Sequence, residues 1–180
     1  MQFPAKKTSA RAQSRKTKKL ALSAMFAALA LIFAYVEAII PYNAGIPGVK
    51  LGIANLVIII VLYEMDFRYA MAVNVVRILV SGLMFSGVFG ALYSLAGGML
   101  SLVVMWALKK TRLFSMIGVS MAGGVAHNMG QLLVAAFIVS NIKMFAYFPV
   151  LLFSGLISGI LIGIVAYVID GKVPKNIFSN

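Results

Sequence analysis

The feature that most constrains this chain is a hydrophobic zigzag whose Lys and Arg residues lie almost entirely on one side. They crowd Lys6 to Lys19, return at Arg68 and at Lys109, Lys110 and Arg112, and close the chain at Lys172 and Lys175. Counting apolar runs from the N-terminus, all 16 basic residues except Lys50, Arg77 and Lys143 fall after an even number of crossings. Short-loop Lys and Arg favour the cytoplasmic side of a bilayer. The pattern therefore predicts a multi-pass protein of the bacterial cytoplasmic (inner) membrane with both termini inside. With 62% apolar and 11% charged residues, the chain lies far from a soluble domain, which is near half apolar and a quarter charged.

Within 180 residues there is room for about six spans of roughly 20 residues and little beyond them. The expected fold is an all-α six-transmembrane-helix bundle. Residues 1–19 carry seven basic side chains and no acid, and are expected as a disordered cytoplasmic tail because such a segment buries no core. Residues 20–170 form the transmembrane domain and residues 171–180 a C-terminal cytoplasmic tail. The spans are expected at 20–40, 49–63, 69–83, 91–108, 114–139 and 148–169. Two turn-rich external stretches, at 41–48 and 81–90, separate the first two pairs.

A net charge of +12 fits nucleic acid less well than a bilayer, where basic residues flanking a span orient it and attract anionic lipid. No cysteine is present, which excludes disulfides and thiolate metal sites. Gly-rich patches at 96–98, 122–124 and 154–159 suit close helix packing in lipid.

Polar residues inside the spans carry the chemistry. Arg77 stands eight or nine residues into span three, where a guanidinium is costly unless it is paired or faces a wet cavity. Glu37, late in span one, is a candidate partner at similar depth, and anion recognition is the alternative role. In span five His127 and Gln131 share a helical face with Asn128 beside them, at a depth shared with Asn55 and Asn74. This set reads either as interhelical hydrogen bonding or as the floor of a pocket. Tyr42 and Lys50 on the first external loop and Tyr93 early in span four would lie at the outer mouth, as ligand contacts or as interface anchors.

No catalytic set is visible. The acids are Glu37, Glu64, Asp66 and Asp170, with no paired carboxylates, no metal-ligand companion for the single His and no phosphate-binding loop lysine. No cofactor, metal or catalytic activity is expected, and any energy source must lie in a partner or an ion gradient.

Four motifs in order, Pro47-Gly-Val-Lys-Leu-Gly-Ile-Ala-Asn55, Arg77 with Gly82 and Phe85, Tyr93-Ser-Leu-Ala-Gly-Gly98 and Gly123-Gly-Val-Ala-His-Asn-Met-Gly-Gln131, resemble the Gx transporter family. That family is often labelled heptaprenyl diphosphate synthase component I and is related to the substrate-binding (S) components of energy-coupling-factor (ECF) transporters. The resemblance implies a six-helix bundle, a small-molecule pocket near the outer face, and docking on a transmembrane coupling subunit driven by two ATPase subunits. Docking in S components uses an Ala-x-x-x-Ala patch on the first helix, matched here by Ala24 and Ala28.

The expected function is thus the S subunit of an ATP-driven importer. Its ligand would be an anionic or ring-bearing solute such as a vitamin, flavin or quinone or isoprenoid precursor, with Lys50, Asn55, Arg77, His127, Asn128, Gln131, Tyr42 and Tyr93 around it. Two alternatives are an accessory membrane subunit for heptaprenyl diphosphate or quinone synthesis and a self-sufficient ion-coupled transporter. Prenyl chain elongation by the chain itself would need Asp-rich Mg²⁺ motifs, and Asp66 and Asp170 are its only aspartates.

Overall fold

A row of apolar residues with no polar interruption, Leu56 to Leu62, lies at the centre of the molecule and is buried on every side. A helix apolar all round is one surrounded by others, and here it is α2 (Ile53–Glu64). The computed structural model describes residues 5–39, 52–174 and 177–178, with side chains from residue 13 onward. Around α2 stand α1 (Ala5–Ile39), α3 (Phe67–Ser81), α4 (Gly87–Thr111), α5 (Met116–Val139) and α6 (Phe148–Lys172). A π-helical turn, Gly82–Ser86, joins α3 to α4, and a 3-10 segment, Ile142–Tyr147, leads into α6. No strand occurs among the described residues.

Local signals account for several ends. The Ser115 hydroxyl accepts the Gly118 N–H at 3.2 Å and starts α5, as an N-cap serine does. Lys109, in the last turn of α4, donates to the Leu62 carbonyl at 2.6 Å. It thereby satisfies a carbonyl that the end of α2 leaves open.

The Gly-rich stretch expected as an external loop at 81–90 is helical instead. Its turn is concentrated at Gly87, whose φ of 66° is open to glycine without a Cβ penalty. From there α4 runs back along α3: Gly82 abuts Ala91, and Gly98 abuts Ile78 and Asn74. The same antiparallel meshing joins α4 to α5, where Gly130 meets Ala96 and Gly97, and α5 to α6, where Gly124, Gly155, Gly159 and Gly163 allow backbone to touch backbone. The three glycine patches of the sequence are these contacts.

Large apolar side chains on the outer faces remain uncovered, among them Leu29, Val103, Phe153, Ile157 and Leu161. Four helical runs, 13–39, 67–111, 116–139 and 142–172, are long and apolar enough to cross a membrane. The chain is an all-helical, multi-pass membrane protein. Against the six expected spans, α2 is too short to qualify, its 12 residues rising about 18 Å beside a hydrocarbon core of about 30 Å. Helices α3 and α4 count as one 45-residue run, although that run folds back at Gly87. Helix α1 is continuous from Ala5, within the stretch expected as a cytoplasmic tail. Ala, Arg, Gln and Lys are good helix formers, and an apolar helix following them supplies the nucleus they need.

Candidate functional site

Arg77 projects from the middle of α3 and is 8% exposed. One turn earlier, Asn74 is 1% exposed and accepts the Arg77 Nη2 hydrogen on its Oδ1 at 2.8 Å. Gly98 of α4 makes room for Asn74, since a Cβ at that position would lie 3.0 Å from its Nδ2. The helical hairpin thus fixes the asparagine, and the asparagine holds the guanidinium. Arg77 Nε has no hydrogen-bond partner among the described residues.

Arg77 faces a cavity of about 60 Å³. Its polar wall is assembled from five helices and the π-helical turn: Glu37 of α1, Asn55 of α2, Arg77 and Ser81 of α3, Ser86 of the turn, Ser94 of α4 and His127 of α5. Glu37 does not form an ion pair with Arg77 among the described residues. Its Oε1 accepts the Gly52 N–H at 2.5 Å, which ties the end of α1 to the start of α2. Gly52 has a φ of 73° and its space is bounded by Ile162 and Asn55, so it brings the chain into α2 at a tight corner.

A second cavity, about 30 Å³, shares Gly52, Asn55 and His127 with the first. It continues inward between α4, α5 and α6 past Ser101, Ser120, Asn128 and Ser158. The two cavities make a polar track through an otherwise apolar bundle. Water-sized spaces with several polar neighbours hold ordered water.

Of the residues singled out from the sequence, Asn55, Arg77 and His127 converge on the larger cavity. Asn128 lines the smaller one, and its Nδ2 donates to the Leu151 carbonyl of α6 at 2.7 Å. That bond gives it a structural task. Gln131 lies one turn further along α5, its Cγ against Gly97 of α4, and it borders neither cavity. Tyr93 also borders neither, whereas its neighbour Ser94 does. Tyr42, Lys50 and the 41–48 loop lie outside the described residues. On α1, Ser23 and Ala27 are buried while Ala24 and Ala28 are exposed.

Glu37, Ser81, Ser86 and Ser94 complete the wall without having been named as binding residues. Glu37 had drawn attention only as a partner for Arg77. Serines in apolar helices give no comparable signal, because a helical hydroxyl can bond back to its own backbone, as Ser81 does to the Ile78 carbonyl at 3.2 Å.

Chemically, the site offers a buried cation with an unused donor, a carboxylate, an imidazole, a carboxamide and three hydroxyls. A guanidinium binds carboxylate or phosphate oxygens through such donors. Among the described residues no three His, Cys, Asp or Glu side chains come together.

No curated protein and no solved structure matches the chain. A family model described as heptaprenyl diphosphate synthase component I matches residues 26–169, a stretch that contains every described wall residue of both cavities. The motif resemblance and this match agree, and the chain belongs to the heptaprenyl diphosphate synthase component I family.

Proposed function

We propose that this protein is the membrane-embedded substrate-binding subunit of an ECF-type, ATP-driven importer in the bacterial cytoplasmic membrane. In this reading it has six crossings and both termini in the cytoplasm, and it takes an anionic solute from the outer side. The observation that carries the proposal is the cavity in which Arg77, Asn55 and His127 meet from three helices. A charge kept inside a bundle at this cost is retained for a ligand or a pathway. The chain has no phosphate-binding loop of its own, so ATP hydrolysis falls to partner subunits. The exposed Ala24 and Ala28 supply a small-residue face on α1 against which a coupling helix can pack closely.

The test is co-purification and uptake. The tagged chain should bring down a transmembrane coupling subunit and two ATPases, and uptake should require them. Transport by the isolated chain in empty liposomes would refute the proposal.

A second reading is favoured by the family's description: an accessory subunit of a prenyl diphosphate synthase. It predicts that the purified chain raises prenyltransferase activity of a soluble, Asp-rich partner, a measurement on which the importer reading expects no change.

A further inference from the structure

The space around Arg77 is small for the role just given to it. About 60 Å³ takes roughly four waters, whereas a pocket that encloses a drug-sized ligand runs to about 300–1,000 Å³. A flavin or a fused-ring acid does not fit inside. A single oxyanion group does.

Where the remainder of a ligand would go follows from the cavity's outer rim. Ala38 at the end of α1 and Phe85 and Ser86 of the π-helical turn line the cavity and are also exposed, so the cavity reaches the surface between these two elements. Tyr35 of α1 and Phe85 stand together at this seam, their ring centroids 5.3 Å apart, with 49% and 36% of their surfaces uncovered. Beyond them Leu83, Met84, Val88 and Phe89 are exposed among the described residues. The cavity is thus polar at its inner end and apolar at its mouth, and the surface outside the mouth is suited to hydrocarbon. A π-helical turn at such a place is a common companion of binding sites.

On the reading of this cavity as the ligand site, we infer that the ligand is an anionic amphiphile, with a small carboxylate or phosphate head on Arg77 and an apolar tail lying past Tyr35 and Phe85 in the lipid. The Arg77 guanidinium, with Asn55, Ser94 and His127 on the same wall, takes the head's oxygens. Glu37 shares the wall and opposes a second negative charge, which favours a head of low charge. Entry is sideways, between α1 and the α3–α4 hairpin, so the tail never leaves an apolar medium. The same head chemistry is carried by bilayer phospholipids and by other lipid-phase phosphates.

The experiment uses the full chain in phosphatidylcholine nanodiscs and follows binding by native mass spectrometry and thermal shift. Probes are dodecyl phosphate, inorganic phosphate, and nanodiscs doped with phosphatidylglycerol. Dodecyl phosphate should bind at least a hundredfold more tightly than inorganic phosphate. Arg77→Gln should weaken it at least tenfold, and Ala38→Trp, at an exposed position in the mouth, should do the same without unfolding the protein. If Arg77→Gln fails to fold, Ala38→Trp carries the comparison. Competition by phosphatidylglycerol that depends on Arg77 supports the inference and identifies bilayer lipid as the source. Dodecyl phosphate binding without such competition supports a separate lipid-phase ligand.

Equal affinity for inorganic and dodecyl phosphate overturns the inference, because the tail then contributes nothing. Equal binding of dodecyl phosphate to wild type and both variants also overturns it, because the probe is then only dissolved in the lipid. Uptake of a tail-free solute by the assembled importer, with no dodecyl phosphate bound, overturns the amphiphile and leaves the importer standing. Failure of the importer to assemble leaves the binding result unaffected.

Discussion

The Glu37 carboxylate accepts the backbone N–H of Gly52, fifteen residues away, and this bond fastens the C-terminal end of α1 to the first residue before α2. It also decides the electrostatics of the neighbouring cavity. A carboxylate engaged with backbone leaves Arg77 in the same cavity without a direct ion pair among the described residues. The guanidinium is held instead by Asn74.

Removing the Glu37 clamp should loosen the junction. Hydrogen bonds to a charged group contribute about 1.5–3 kcal/mol, so Glu37→Ala should lower stability by about that amount. Glu37→Gln, which keeps an acceptor, should cost less. Thermal unfolding in mild detergent distinguishes the two, and equal stability of all three proteins would remove the clamp from the account.

The α5–α6 contact should tolerate no added carbon at Gly124. A Cβ there falls against the Gly155 carbonyl of the facing helix, and overpacking of this kind costs about 1–3 kcal/mol. Gly118→Ala is the control, because its nearest neighbours would lie at 3.7 Å and alanine is the better helix former. The expected order of melting temperatures is Gly118→Ala at or above wild type, and Gly124→Ala below it.

Arg77 and His127 should each matter to ligand binding by at least tenfold, about 1.4 kcal/mol, when changed to Ala. Asn74→Ala should reproduce part of the Arg77 effect although it is not among the cavity's wall residues, since it positions the guanidinium. Affinity measured by titration in nanodiscs decides this. Wild-type affinity in Asn74→Ala would show that the 2.8 Å bond has no bearing on recognition.

Ala24→Leu and Ala28→Leu should leave folding and ligand binding unchanged, because both residues are exposed on α1. They should abolish uptake by filling the face proposed for a coupling helix. Unimpaired uptake in both variants would move the docking surface elsewhere.

Much of the architecture was legible in the order of residues. Long apolar runs broken by basic turns indicate helices in lipid, where every backbone group must find its partner within the span. Arg77, Asn55 and His127 stood out for the same reason, as polar groups placed where water is scarce. The loop expected at 81–90 was misread because glycine-rich composition alone does not tell a turn from a helix that needs close neighbours. In this protein Gly87 makes the turn, while Gly82 seats the next helix against Ala91.

Gln131 and Asn128 were grouped with His127 because helical periodicity puts them near one another. It does not say which neighbour each side chain meets. Asn128 turned out to serve the α6 backbone, and Gln131 packs on Gly97. Sequence spacing along one helix determined which residues share a turn, and the apolar and basic pattern determined that the chain is helical and membrane-bound. Only the tertiary packing decided that Glu37 and Ser94 join Arg77 around one small cavity. They lie on three helices, and no local periodicity encodes the angle at which helices meet; that angle is set by which glycines allow two backbones to touch.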